Sequence, residues 1–178
     1  AGELRKAQQD WAARPVESRV AVLQRWKDQL LAHRGAIVEA LVTDTGRHLL
    51  AGNELRALGG MVAGNVAMAG HAVAEAEERP LVTPGIGIRT QLVPYGLVGV
   101  ISPWNFPFLL SLLDTIPALL AGCAVLVKPS EVTPRFVAPL MASVREFPEL
   151  AAVFAVVTGD GQTGAALIEQ VDAVCFTG

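Results

Sequence analysis

Charge and cysteine are both scarce in this 178-residue chain. Lys, Arg, Asp and Glu together make up 17% of it, and the formal net charge is −3. With a pI near 5.6, that balance excludes the basic footprint that nucleic acid or an anionic membrane surface would need. There are two cysteines, Cys123 and Cys175, far apart and each inside an apolar run. Such thiols build neither a disulfide framework nor a metal cluster, and their usage fits a reducing compartment, so a cytoplasmic location is expected. The three histidines (His33, His48, His71) have no mutual spacing for a metal and read as solvated or helix-end residues. The opening AGELRKAQQDW places charges where a secretory leader needs its apolar centre. The longest apolar stretch, residues 106–127, is interrupted by Pro107, Asp114, Pro117 and Gly122. A spanning helix needs about 20 predominantly apolar residues, so this segment reads instead as a helix, a turn and a buried strand.

What the chain does have is apolar bulk. Hydrophobic residues make up 52% of it, and the mean hydropathy is +0.42. This predicts a packed core, with some apolar surface left to face another domain or subunit. Charge is uneven: 20 of the 31 charged residues precede Pro80, so the two halves differ in kind. In the first half Val16, Val20, Leu23, Trp26 and Leu30 recur at steps of three and four, which puts them on one helical face. Gly35 separates that helix from a second over residues 36–43, which Gly46 stops. An alanine-rich helical segment follows from about Gly52 to Glu78, and Pro80 and Pro84 close the helical region. Residues 86–94 (IGIRTQLVP) alternate, with Ile86, Ile88, Thr90 and Leu92 on one side, predicting a half-exposed strand in a hairpin.

From Leu97 the pattern changes. LVGVIS, AVLVKP, VFAVVTG and AVCFTG are short β-branched runs that fit strands buried on both faces. Helix-competent stretches at 108–120, 134–147 and 162–169 lie between them. The fold class expected is α/β: a partial doubly wound parallel sheet with N-terminal helices and a β-hairpin. The expected division is a helical region at 1–79, the hairpin at 80–96 and a βαβ portion at 97–178.

Ligands of such sheets gather where strands end and helices begin, which directs attention to SPWNFP, KPSE, TGDGQTG and FTG. Gly159, Gly161 and Gly164 spell G-x-G-x-x-G between a strand and a helix, the setting of a pyrophosphate cradle. A glycine-rich turn that merely opens a helix reads the same triplet equally well. Lys128 and Glu131 of KPSE could hydrogen-bond both hydroxyls of a ribose, or form an ordinary surface ion pair. In SPWNFP two prolines fix the backbone around Asn105, whose amide could donate to an oxygen gaining negative charge. Alternatively, Asn105 caps the next helix, with Pro107 in its first turn.

PYGLVGVISPWNFP, PALLAGCAVLVKPSEVTP, VVTGDGQTG and VDAVCFTG, in this order, resemble the aldehyde dehydrogenase superfamily over residues 17–178. Upstream, DTGRH resembles that family's common ETGKP segment, a departure with no obvious consequence. The resemblance implies that Asn105 belongs to an oxyanion hole and that Ile101, Ser102, Pro103 and Trp104 lie along the cofactor. It implies that Lys128 and Glu131 contact the adenosine ribose at a turn shaped by Pro129 and Ser130. Gly161 would lie beside the adenine, while Thr177 and Gly178 edge the segment that receives the pyrophosphate, so the literal glycine triplet is not the cradle. The hairpin resembles the family's oligomerisation element, implying a homo-oligomer for the full-length protein.

In such enzymes a cysteine thiolate attacks the aldehyde, hydride passes to the nicotinamide of NAD or NADP, and a glutamate activates water. The resemblance puts that cysteine and glutamate beyond FTG, so this stretch alone is expected to be inactive and poorly soluble, with an exposed last strand. Cys123 and Cys175 read as buried apolar residues. A carboxylate at Glu131 would repel a ribose 2′-phosphate, so NAD is expected over NADP. A non-catalytic nucleotide-binding or subunit-interaction module remains the alternative function. The substrate would be a small aldehyde.

Overall fold

A computed structural model describes residues 1–72, 79–80, 82–83, 85–89 and 91–178, with the backbone alone at 71, 72 and 79. Four helices come first: α1 Gly2–Ala12, α2 Val16–Ala32, α3 Gly35–Thr45 and α4 His48–Ala72. Their breaks are chemical. Pro15 sits at the entry to α2, and Gly46 closes α3 in the left-handed region at φ 67°, its N–H donating to Val42 O at 2.8 Å. The α2 stripe forms as the spacing predicts, with Leu23, Trp26 and Leu30 buried. It also buries Arg19, which no hydrophobic spacing would place there.

The explanation for Arg19 lies at the end of a later helix. Residues 107–121 form two short helices, α5 Pro107–Leu113 and α6 Thr115–Ala121, where the sequence suggested one. The last carbonyls of α6 are only partly satisfied locally, by Gly122 N donating to Leu119 O at 3.1 Å and Cys123 N to Ala118 O at 3.0 Å. Arg19 Nε donates to Leu120 O at 2.9 Å and Trp11 Nε1 to Leu119 O at 2.8 Å, while Gln8 Nε2 donates to Gly122 O at 3.0 Å. Side chains of α1 and α2 thus satisfy a helix end more than 100 residues away in sequence. One core cluster runs from Leu4 to Leu167, and Trp26 of α2 meets Phe154 edge to face at 6.4 Å.

The sheet contains β3 Leu97–Ser102, β4 Ala124–Pro129, β5 Phe154–Val156 and β6 Ala173–Phe176, following β1 Arg79–Pro80 and β2 Gly87–Ile88. All neighbours are parallel, in the order β5-β4-β3-β6. Helices α7 Val137–Arg145 and α8 Pro148–Ala151 link β4 to β5, and α9 Gly161–Ile168 links β5 to β6. The chain runs outward from β3 to β5 and then returns to the other side of β3, so the order reverses at that strand. Alternation along β3 separates its two faces. A methyl on Gly99 would stand 2.4 Å from Leu167 Cδ2, so that face packs on α9. On the opposite face, Ser102 Oγ meets Ser111 Oγ of α5 at 2.6 Å. Helices on both faces and a reversal of strand order make this a partial doubly wound α/β sheet, as expected.

Two expectations need correction. β6 is not buried on both faces: Val174 and Phe176 are 38% and 71% exposed on the side that carries Gly99 and Ile101. Helix α9 lies over β3 and β4, and this outer strand has nothing beyond it. The strand anticipated over residues 86–94 shrinks to Gly87–Ile88, paired with Arg79–Pro80. Alternation supplied a pattern without a partner to pair with, so Leu92 and Val93 remain exposed outside any strand. Thr90, Pro84, residues 73–78 of the alanine-rich segment and the His71 side chain lie outside the described residues. No helix among the described residues is long and apolar enough to cross a membrane, and none of their His, Cys, Asp and Glu side chains cluster as a metal site.

Candidate active site and cofactor corner

The C-terminal ends of β3 and β4 bring two of the sequence motifs side by side. Ile101 pairs with Lys128 and Ser102 with Pro129. Partners in parallel register share a face, so Ile101 and Lys128 point toward α9. The Cδ1 of Ile101 lies 3.8 Å from where a Gly164 Cβ would sit, consistent with that side. The Lys128 side chain is 6% exposed, and its Nζ donates to Glu131 Oε2 at 3.0 Å across a turn that Ser130 tightens by accepting from Val132 N. The lysine end of this pair is buried while the carboxylate end faces solvent. The Glu131 carboxyl is held below its ordinary range, first by its own backbone N–H and then by Lys128.

The Pro103–Trp104–Asn105 corner continues β3. Here Asn105 does not cap the next helix: Phe106 occupies that position, with Pro107 in the first turn. The Asn105 Oδ1 accepts from Phe106 N at 3.1 Å, and the NH2 of this exposed amide has no partner among the described residues. The carbonyls of the corner are taken by side chains from elsewhere. Thr133 Oγ1 donates to Trp104 O at 3.3 Å, joining the SPWNFP and KPSE loops directly. Arg47 Nη1 donates to Asn105 O at 3.0 Å, and its guanidinium lies 5.5 Å from the centre of the Trp104 ring. The DTGRH departure therefore does have a structural consequence.

Glu54 holds the far side of the corner. Its Oε2 accepts from both Phe108 N and Leu109 N at 3.0 Å, satisfying two free amides at the start of α5. Burial raises this carboxyl above its usual range, against the lowering effect of those two N–H groups and of the Arg47 charge. Sequence reasoning missed Glu54, Arg47 and Thr133. Glu54 alone left a signal: it is a solitary carboxylate in the buried stripe of Ala51, Leu55, Leu58 and Val62.

At α9 the glycine triplet resolves against a phosphate cradle. Asp160 caps the helix, its Oδ1 accepting from Gln162 N at 3.0 Å and Thr163 N at 3.3 Å, so a carboxylate already occupies the place an anion would take. Gly159 is required for a different reason: at φ 156° its missing Cβ would fall 2.1 Å from Thr163 Oγ1. Gly161 has nothing within 4 Å of a Cβ position. Thr177 N donates to Ile101 O at 3.0 Å, extending the β6–β3 ladder to the same sheet end, and Gly178 follows it. Burial raises both thiols, Cys123 and Cys175, above the ordinary thiol range.

The family model described as Aldehyde dehydrogenase family matches residues 3–178. The chain belongs to the aldehyde dehydrogenase family. The solved structure of PutA from Anabaena variabilis superimposes with a TM-score of 0.95 at 47% identity, covering 98% of this chain and 37% of that one. An NAD-dependent benzaldehyde dehydrogenase from Corynebacterium glutamicum gives 0.85 at 34% identity, covering 98% and 39%. A Mycobacterium tuberculosis relative, whose name carries succinate-semialdehyde dehydrogenase and NADP+, is 36% identical over 185 residues, covering 99% of this chain and 34% of its own length. This aldehyde dehydrogenase family chain thus spans about a third of the length of the curated relatives it matches.

Proposed function

We propose that the chain forms the cofactor-binding and oxyanion-stabilising part of an enzyme that oxidises an aldehyde to a carboxylic acid with NAD+. The observation that carries this reading is Lys128. Its ammonium is nearly buried, has three N–H groups and, among the described residues, makes one bond, to a half-exposed Glu131. A vicinal diol suits that pair, the lysine donating to one hydroxyl and the carboxylate accepting from the other. Ile101 on the same face and the start of α9 would flank a nucleotide, with Ser102, Pro103, Trp104, Pro129, Ser130, Gly161, Thr177 and Gly178 along its path.

When bound, the nicotinamide supplies the hydride acceptor. The protein's own contribution here is the free NH2 of Asn105, donating to the aldehyde oxygen as a thiolate adds to its carbon. That donation is strongest once the oxygen becomes an anion, so it accelerates the step instead of merely binding substrate. Neither Cys123 nor Cys175 supplies the thiolate, which is assigned to another part of the enzyme. An ionised Glu131 disfavours a 2′-phosphate, so NAD+ is assigned over NADP+, the cofactor in the mycobacterial relative's name. Semialdehydes and benzaldehyde, named for relatives, define the aldehydes to test first. A homo-oligomer joined through the hairpin, in the cytoplasm, completes the proposal.

The test is turnover of these aldehydes by the intact gene product with NAD+ and NADP+, followed through the reduced nicotinamide. Asn105→Ala should lower kcat by about 10²–10³ while leaving the KM for NAD+ unchanged. Cofactor binding without turnover would favour the non-catalytic module. An unchanged kcat for the variant would remove Asn105 from the oxyanion site.

A further inference from the structure

Arg47 and the Asn105 amide are joined through a single peptide unit. The C=O of Asn105 accepts from Arg47 Nη1 at 3.0 Å, and the N–H of Phe106, on the other edge of the same planar unit, donates to Asn105 Oδ1 at 3.1 Å. A rotation of that plane would break both bonds and release the side-chain amide from this orientation. The corner lies beyond the end of β3, where no ladder holds it, so its orientation depends on side chains arriving from other elements. Thr133 secures the preceding carbonyl, of Trp104, and Arg47 secures the one that orients the amide.

Arg47 is itself well anchored. Its backbone N–H donates to Thr45 Oγ1 at 3.2 Å, and that hydroxyl donates to Leu41 O at 2.7 Å. Gly46, in the left-handed region, turns the chain between α3 and α4 just before it, and Arg47 O accepts the Ala51 N–H of α4 at 3.0 Å. The guanidinium stacks on the half-exposed Trp104 ring, which limits its rotation. Planarity lets one group stack and donate together, which an ammonium on a flexible stem does less well.

We propose that Arg47 is a positioning residue that fixes the Asn105 amide for oxyanion stabilisation. The inference rests on the function assigned to Asn105 above. It predicts a specific non-additivity in the intact enzyme. Arg47→Ala should lower kcat about tenfold, since misplacing a preorganised donor costs less than deleting it, and should leave the KM for NAD+ unchanged. Adding Arg47→Ala to Asn105→Ala should lower kcat no further than Asn105→Ala does alone, within about two-fold. Arg47→Lys should recover part of the loss, because a donor is retained.

A purely structural Arg47 would behave otherwise. Its loss would multiply with that of Asn105→Ala, or raise the KM for NAD+ alongside any fall in kcat; either result overturns the proposal. Should Arg47→Ala fail to fold, Arg47→Gln and Arg47→Lys carry the same cycle with a donor of similar reach. If Asn105→Ala has no effect, the oxyanion assignment falls; if it has its effect and Arg47→Ala has none, the Arg47 role alone falls.

Discussion

Glu54 offers a test in which two substitutions at one buried position should part company. Both of its bonds to α5 end on the same oxygen, Oε2. A glutamine carbonyl can take that place and accept from Phe108 N and Leu109 N without bringing a charge out of water. Alanine cannot, and would strand one buried donor, Phe108 N, at about 1–3 kcal/mol, and one partly buried donor, Leu109 N, at less. Relief of the carboxylate's own desolvation offsets part of this, so Glu54→Ala should cost about 2–3 kcal/mol. Glu54→Gln should be neutral or slightly stabilising near pH 8.

The pH dependence sharpens the contrast. Burial raises the Glu54 carboxyl in the folded protein, so the folded state retains a proton that the unfolded chain releases. The resulting stability is fully present below the ordinary carboxylate range and is lost as pH rises through the folded value. Glutamine does not titrate, so Glu54→Gln should gain on the wild type as pH rises from about 4 to 8. Urea unfolding at several pH values, compared by midpoint at unchanged slope, measures the difference. The reasoning is refuted if glutamine destabilises as much as alanine, or if the gap from wild type ignores pH.

Gly99→Ala should destabilise by about 1–3 kcal/mol, because its methyl meets Leu167 Cδ2 at 2.4 Å and Val171 Cγ2 at 3.1 Å. Leu167→Ala should compensate, so that the double variant loses less in thermal unfolding than the sum of the singles. Arg19→Met keeps the apolar stem but strands the Leu120 carbonyl, and a lowered melting temperature is its expected outcome. The depressed Glu131 carboxyl makes the pairing with Lys128 present above the ordinary carboxylate range and lost as pH falls through its folded value. NAD+ affinity in titration calorimetry should therefore weaken toward low pH, and more gently in Glu131→Gln.

Much of the architecture was legible because it follows from local patterns. The α2 stripe, the Gly46 stop and the continuous apolar runs of β3 and β4 each report backbone geometry or burial within a few residues. The hairpin forms, but its second strand was read too long, because alternation records a face and not how far pairing extends. β6 was over-read because its apolar run says nothing about whether a helix covers it. At the candidate site, Lys128, Glu131 and Asn105 could be noticed from their setting at strand ends, but only the family resemblance gave them roles. Arg47, Thr133 and Arg19 could not, since each satisfies a carbonyl on a distant element and leaves no periodic trace.

The bonds from the first two helices to the end of α6 also bear on the timetable of synthesis. On the ribosome, Trp11 and Arg19 emerge about a hundred residues ahead of the carbonyls they serve, and Arg5 waits 167 residues for Asp172. Until then α1, which packs on β3 and β4, has no sheet to cover, whereas α2 meets α4 much sooner. An uncovered face is the condition in which nascent chains recruit chaperones. The bonds of α1 to the end of α6 and to Asp172 therefore close only after those distant partners have been made.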